Sequence, residues 1–237
     1  METIKGIAKG FALEYLPDGL LKFVRGRHYL SSLKNYKIES EPDLYGCKEL
    51  IQPGDTVFDI GANIGVYTRF CSEFAGPNGQ VVSFEPIPET FEYLTKNIRG
   101  LKLANVKCLN VAASDHDSDS DRMYVPEYSN GGANLYEAKL SDEGNVAVKT
   151  VRLDTLFPDL NPSFIKCDVE GHETACIRGA INLIERCRPN WMVEVSSLDT
   201  FELFRSFNYK AFYYNGSRFY PFDPARRSAN WFFLAVS

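Results

Sequence analysis

Asp55-Thr56-Val57-Phe58-Asp59-Ile60-Gly61-Ala62-Asn63-Ile64-Gly65-Val66-Tyr67-Thr68 reads as a short buried strand, a tight turn and the opening of a helix. Val57, Phe58 and Ile60 are strand formers, and Pro53-Gly54-Asp55 is the turn that launches them. Gly61 and Gly65 permit backbone conformations and close approaches that a side chain would block. In a parallel α/β sheet, ligands lie beyond the carboxyl ends of the strands, against the first helix N-terminus. A small cofactor is therefore expected against 61–65.

Outward from this stretch, strand and helix alternate. A helix over 66–74 ends at Gly76-Pro77-Asn78-Gly79. A strand over 80–84 follows and ends in Glu85-Pro86. A helix over 88–99 carries Phe91, Leu94 and Ile98 on one face. A third strand over 106–111 runs into Ala112-Ala113-Ser114-Asp115. Residues 116–135 break the pattern with an acidic run and the glycine-rich Ser129-Asn130-Gly131-Gly132-Ala133-Asn134, read as solvated loop around a short strand, Arg122-Met123-Tyr124-Val125. Further strands are expected over 146–153, 163–168 and 189–195, helices over 173–185 and 198–207, and a terminal strand pair, 210–214 and 231–236, joined by a long loop. This order suggests a mainly parallel sheet with helices on both faces. Residues 1–50 read as an N-terminal cap, a hairpin or helix around Pro17-Asp18-Gly19 followed by a short helix near 43–51. The remaining 51–237 form one domain.

The totals narrow the function. The chain has 237 residues, 44% hydrophobic and 24% charged, ordinary for a soluble protein with a sizeable core. A net charge of -5 argues against a nucleic-acid partner, whose phosphates are met by Lys and Arg. The six cysteines include no C-x-x-C and no metal-ligand spacing, which suits buried, reduced thiols. No apolar run is long enough to span a membrane, and the first residues lack a signal core. The expectation is a soluble, cytoplasmic protein without a membrane partner. The sequence does not define its oligomeric state.

The dinucleotide fingerprint G-x-G-x-x-G fails at two of its three positions, since Asn63 and Val66 stand where glycines are required. That argues against a nicotinamide-dependent oxidoreductase. Instead Asp59 precedes the first glycine, where a carboxylate would repel a pyrophosphate and suit an amine. Glu85 ends the next strand, where nucleotide-binding folds place a carboxylate for ribose hydroxyls. A ligand with ribose, an amine and no phosphate fits both, and S-adenosylmethionine is such a ligand. Asp59 has a structural alternative as a cap of backbone N–H groups, and Asn63 also tolerates a left-handed turn.

Val57 to Gly65 resembles the first motif of class I S-adenosylmethionine-dependent methyltransferases, and more narrowly of the FkbM family. The family's pattern is matched in order by Phe84-Glu85-Pro86, Asn110-Val111-Ala112-Ala113-Ser114-Asp115, Leu153-Asp154-Thr155-Leu156 and Lys166-Cys167-Asp168-Val169-Glu170-Gly171-His172-Glu173. The resemblance covers 54–195 and implies a Rossmann-like seven-stranded sheet, mainly parallel, with an antiparallel C-terminal strand. It implies methyl transfer to a hydroxyl of a small molecule such as a sugar or natural product. It assigns Asp59, Gly61, Ala62, Asn63 and Gly65 to the methionine part of the donor, Glu85 to the ribose, and Ala113, Ser114 and Asp115 to the adenine surroundings, with Pro86 also among the donor-binding residues.

Lys166, Asp168 and Glu170 alternate, so a strand would present them on one face. Asp168 is expected to face donor or acceptor, and Glu170 and His172 to bind the substrate or take its proton. The ordinary pKa of histidine, about 6.5, suits a base. Lys166 completes this candidate catalytic cluster. Two nearby carboxylates are too few to assign a divalent metal, so none is assigned. N-methylation or a macromolecular acceptor is the nearest alternative. Asn161-Pro162-Ser163-Phe164 lacks the second proline of the amino-methyltransferase motif and precedes its strand. A non-catalytic partner-binding module is the other class, opposed by the intact 59–65 turn.

Overall fold

The computed structural model describes residues 18–126, 138–195, 197–226 and 228–236. The glycine-rich stretch 129–134 and the first seventeen residues lie outside them. The chain opens with helix α1 (Asp18–Asn35), a 3-10 turn (Ile38–Ser40) and α2 (Asp43–Leu50). Then follow β1 (Thr56–Ile60), α3 (Val66–Ala75), β2 (Gln80–Phe84), α4 (Pro88–Leu101) and β3 (Val106–Leu109). An inserted region carries β4 (Ala112–Ala113), β5 (Ser118–Tyr124), β6 (Lys139–Leu140) and β7 (Val146–Val151). The chain returns through α5 (Leu153–Leu156), β8 (Phe164–Cys167), α6 (Glu173–Arg178), α7 (Ile181–Cys187), β9 (Asn190–Glu194) and α8 (Leu198–Ser206). It closes with β10 (Tyr209–Tyr214), β11 (Phe219–Pro221) and β12 (Asn230–Ala235).

The main sheet has the order β11-β10-β12-β9-β8-β1-β2-β3. β3, β2, β1, β8 and β9 are parallel, and β12 lies antiparallel between β9 and β10. The mainly parallel sheet with an antiparallel C-terminal strand is thus present, with β1 at its heart. There are eight strands where seven were expected. The extra one, β11, folds back on β10 within what reads as a long loop. Its turn is an Asn-Gly hairpin: Gly216 has φ 91° and Asn215 Oδ1 accepts the Ser217 and Arg218 N–H groups.

The period of two sorts each strand's side chains. Phe58, Ile60, Val82, Phe84 and Ile165 bury one face of the sheet under α6, α7 and α8. Val57, Val81, Phe164, Met192 and Phe232 bury the other under α2 and α3. Each large apolar side chain so buried contributes roughly 1.5–3 kcal/mol. All six cysteines are unpaired thiols, and no described helix is long and apolar enough to cross a membrane.

Of the hairpin and helix left open near the N-terminus, the described residues form the helix, α1, which packs against α4: Leu30 lies under Gly100, and Tyr29 meets Tyr93 edge-on at 5.1 Å. Two local expectations are revised. The strands near 118–124 and 146–151 leave the main sheet and form their own, ordered β4-β7-β5-β6. The single helix expected over 173–185 is broken at Gly179-Ala180. A Cβ on Gly179 would lie 1.8 Å from the Ser114 carbonyl oxygen. Asp154 fastens the break: its N–H donates to the Gly179 carbonyl at 3.0 Å, and its carboxylate accepts the Leu183 and Asn182 N–H groups at 2.9 and 3.1 Å.

Candidate functional site

The carboxyl ends of β1, β2 and β8 meet at the 61–65 turn. Gly61 has φ 75° and its missing Cβ would lie 1.8 Å from the Asp168 carbonyl oxygen, so β8 can approach only because residue 61 is glycine. Phe84 O accepts both the Gly61 and Ala62 N–H groups, at 3.1 and 2.9 Å. Asn63 takes φ 49° and its side-chain oxygen accepts the Ile64 N–H at 2.8 Å. Glu85 then ties the turn to β2. Its carboxylate accepts the Asn63 and Ile87 N–H groups, each at 3.0 Å. Burial pushes the Glu85 carboxyl up to about 7, against the pull of those two donors.

Beneath the turn lies a buried polar layer set by strand register. Asp59 pairs with Ser83 on one side and Lys166 on the other, so the three side chains emerge on the same face, under α3. Asp59 Oδ2 accepts from Thr68 Oγ1 at 2.5 Å, and Asp59 Oδ1 stands 3.6 Å from Lys166 Nζ. Lys166 Nζ also donates to the Gly61 carbonyl at 2.8 Å and pairs with Asp168 at 3.3 Å. Burial alone would lower the Lys166 pKa, but Asp168 and Asp59 more than offset it and hold the ammonium charged. Burial raises the Asp59 carboxyl against Lys166 and Thr68.

Above the turn is a cavity of about 270 Å³. Residues 61–64 form its floor, Val66 and Tyr67 of α3 one side, and Lys166, Asp168, Val169, Glu170 and His172 the other. Ile87, Val111, Ala112 and Ala113 make an apolar end, closed by Met123, Ala138 and Leu140 of the inserted sheet. Tyr36 and Glu41 enter from the N-terminal segment. Of the residues singled out by sequence, Gly61, Ala62, Asn63, Glu85, Pro86, Ala113, Lys166, Asp168, Glu170 and His172 share this one cavity. Asp59 and Gly65 stand behind its floor, and Ser114 and Asp115 behind its wall. His172 Nε2 lies 2.9 Å from Ser114 Oγ, and burial lowers its pKa, so the ring is neutral at pH 7. Asp115 turns away to His116, at 2.9 Å. Glu173 Oε1 accepts the Val169 and Gly171 N–H groups and so shapes the loop before α6.

Sequence reading missed Tyr36, Glu41, Tyr67 and Glu194. Glu194 was detectable, because it ends β9 as Asp168 follows the end of β8. Tyr36 and Glu41 carry no motif. Carboxylate oxygens of Asp168, Glu170 and Glu194 lie within 4.8 Å of one another and could converge on a cation. Burial, then the hydrogen bond and charge of Asp168, push the Glu194 carboxyl up to about 8. Burial also opposes ionisation of Asp168, but Lys166 and the Glu194 hydrogen bond outweigh it and hold Asp168 low.

An apolar end, a buried carboxylate at mid-cavity and further carboxylates beyond suit a ligand with a flat base, hydroxyls and a cationic end. The strand order described is that of a Rossmann-like fold. Two solved structures share the fold. Methyltransferase FkbM of Methylobacillus flagellatus superposes with a TM-score of 0.52 at 17% identity, over 85% of this chain and 52% of that one. A putative rRNA-methylase of Clostridium thermocellum superposes with a TM-score of 0.50 at 12% identity, over 81% and 90%. Residues 59–215 match the methyltransferase FkbM domain, and the chain belongs to that family. AglP of Haloferax volcanii, a hexuronic acid methyltransferase, is 32% identical over 140 residues, 58% of this chain and 54% of that protein. The chain thus spans about half the length of this curated relative.

Proposed function

We propose that the chain transfers a methyl group from S-adenosylmethionine to a hydroxyl oxygen of a small molecule, a sugar or natural product. Supporting this, one cavity wall carries both Asp168 and the neutral His172, beside the glycine turn. The likeness to a hexuronic acid methyltransferase favours a sugar as acceptor.

In this assignment 61–65 holds the methionine part, with Asp59 beneath fixing the turn through Thr68 and Lys166. Glu85 and Pro86 meet the ribose, and Ala113 bounds the adenine, with Ser114 and Asp115 supporting that wall. The bound donor supplies a methyl group on a sulfonium, an electrophile needing no further activation. The protein aligns the acceptor oxygen and excludes water. His172 in the Nε2–H tautomer, which would donate to Ser114 Oγ 2.9 Å away, would leave Nδ1 to take the hydroxyl proton. Asp168 and Glu170 orient the acceptor. Lys166, 3% exposed at its side chain, keeps the Gly61 carbonyl and two carboxylates in place.

The test incubates the full chain with methyl-labelled donor and separate panels of sugars, uronic acids, amines, RNA and protein. Mass spectrometry and alkaline treatment then separate ethers, esters and amines. Label carried as an alkali-stable sugar ether is expected. Label only on nitrogen, RNA or protein overturns the proposal.

A further inference from the structure

Among the described residues lining the cavity, carboxyl groups outnumber cationic ones: Glu41, Glu85, Asp168 and Glu170 are carboxylates and Lys166 is the one ammonium. Lys166 is already engaged by the Gly61 carbonyl, Asp59 and Asp168. Glu41 lies at the end of the 3-10 turn, half-buried, and accepts from Tyr36 Oη at 3.4 Å. Its charged surroundings are Asp43 and, across the cavity, Asp168. No cationic side chain among the described residues is within ion-pair distance of it. Tyr67 Oη, in the first turn of α3, is buried beside Glu41. A half-buried carboxylate facing a cavity without a counter-ion is costly unless a ligand brings positive charge.

The segment is also held firmly. Arg69 of α3 donates to the carbonyls of Leu33 and Tyr36, so this wall is fastened to the helix that follows the glycine turn. We propose that Glu41, with Tyr36 and Tyr67 beside it, binds the ammonium group of the donor's amino-acid end. A segment outside the family-matched 59–215 then completes the donor site. The proposal rests on the donor assignment above.

Titration calorimetry separates the two. The ligands are S-adenosylmethionine, S-adenosylhomocysteine and 5′-methylthioadenosine, which keeps the base, ribose and sulfur but lacks the amino-acid end. Glu41→Gln should weaken the first two by about tenfold or more, the range of a hydrogen bond to a charged group. It should leave methylthioadenosine unchanged, and Tyr36→Phe should show the same selectivity. Equal loss for all three ligands, loss for none, or a change confined to the acceptor KM overturns the role of Glu41. Wild-type protein that binds none of the three refutes the donor assignment itself.

Discussion

Lys166→Met removes the one ammonium beneath the glycine turn and leaves a methylene chain of similar length. Four groups lose a contact: the Gly61 carbonyl at 2.8 Å, Asp168 at 3.3 Å, the Ile60 carbonyl at 3.4 Å and Asp59 at 3.6 Å. Asp168 is 33% exposed and recovers water, so its share is small. Asp59 is 0% exposed and keeps only Thr68 as a donor. Removing one partner of a buried pair typically costs about 3–5 kcal/mol. Asp59 can limit this by taking a proton. Doing so at pH 7 against an ordinary value of 3.8 costs about 4 kcal/mol, at 1.36 kcal/mol per unit. The two routes agree, and about 4 kcal/mol is a large part of a total of roughly 5–15. Urea titration at pH 7 and pH 5 reads it. A carboxyl whose folded pKa is raised stabilises below its unfolded pKa and loses that contribution as pH rises. The deficit relative to wild type should therefore shrink by about 2–3 kcal/mol at pH 5. Adding Asp59→Asn should restore part of the loss, since no buried charge then remains unpaired. A deficit below about 1 kcal/mol that is equal at both pH values would refute the buried ion-pair account.

Gly61→Ala should cost about 2–4 kcal/mol and abolish donor binding, because the new Cβ meets the Asp168 carbonyl and the residue keeps a positive φ; a normal melting temperature with intact donor affinity contradicts this. Glu85, with its carboxyl near 7 in the fold, should make the ligand-free protein lose about 3 kcal/mol as pH rises from 4.5 to 8. Glu85→Gln should flatten that slope in denaturant titrations across pH, and an unchanged slope rules Glu85 out as its source. His172 must be unprotonated to act as base, and burial lowers its pKa. The acid limb of kcat/KM should therefore fall below pH 6.5, and His172→Gln should remove it with a loss of about 10²–10⁴ in rate. A normal rate eliminates His172 as the base.

The parallel half of the fold was legible because its central strands, β1, β2 and β8, are buried on both faces and read as apolar runs ended by glycine, Glu-Pro or Lys-x-Asp. Asp59 illustrates what such reading misses. Its place before a glycine turn marks a site, yet only the register with Ser83 and Lys166 reveals that it braces the floor from beneath. The break at Gly179 was invisible in periodicity, since Ala175, Leu183 and Ile184 keep helical spacing across it. The close approach of Ser114 that forces the break comes from a segment 65 residues away. The β10–β11 hairpin was written in Asn215-Gly216 and overlooked beside the prolines that follow. Tyr36 and Glu41 carry no local signal at all, because long-range packing brings them to the cavity.

The strand order also dictates a sequence of events in assembly. β12, the last strand, lies between β9 and β10, which precede it in the chain. Until residues 230–235 are made, β9 and β10 cannot join and each keeps an open edge. Those edges carry Trp191, Met192, Val193 and Phe212, apolar side chains on unsatisfied backbone, the combination that recruits strands from other molecules. Any chain ended before Asn230 therefore releases a split sheet with two adhesive borders, and the final strand acts as a keystone.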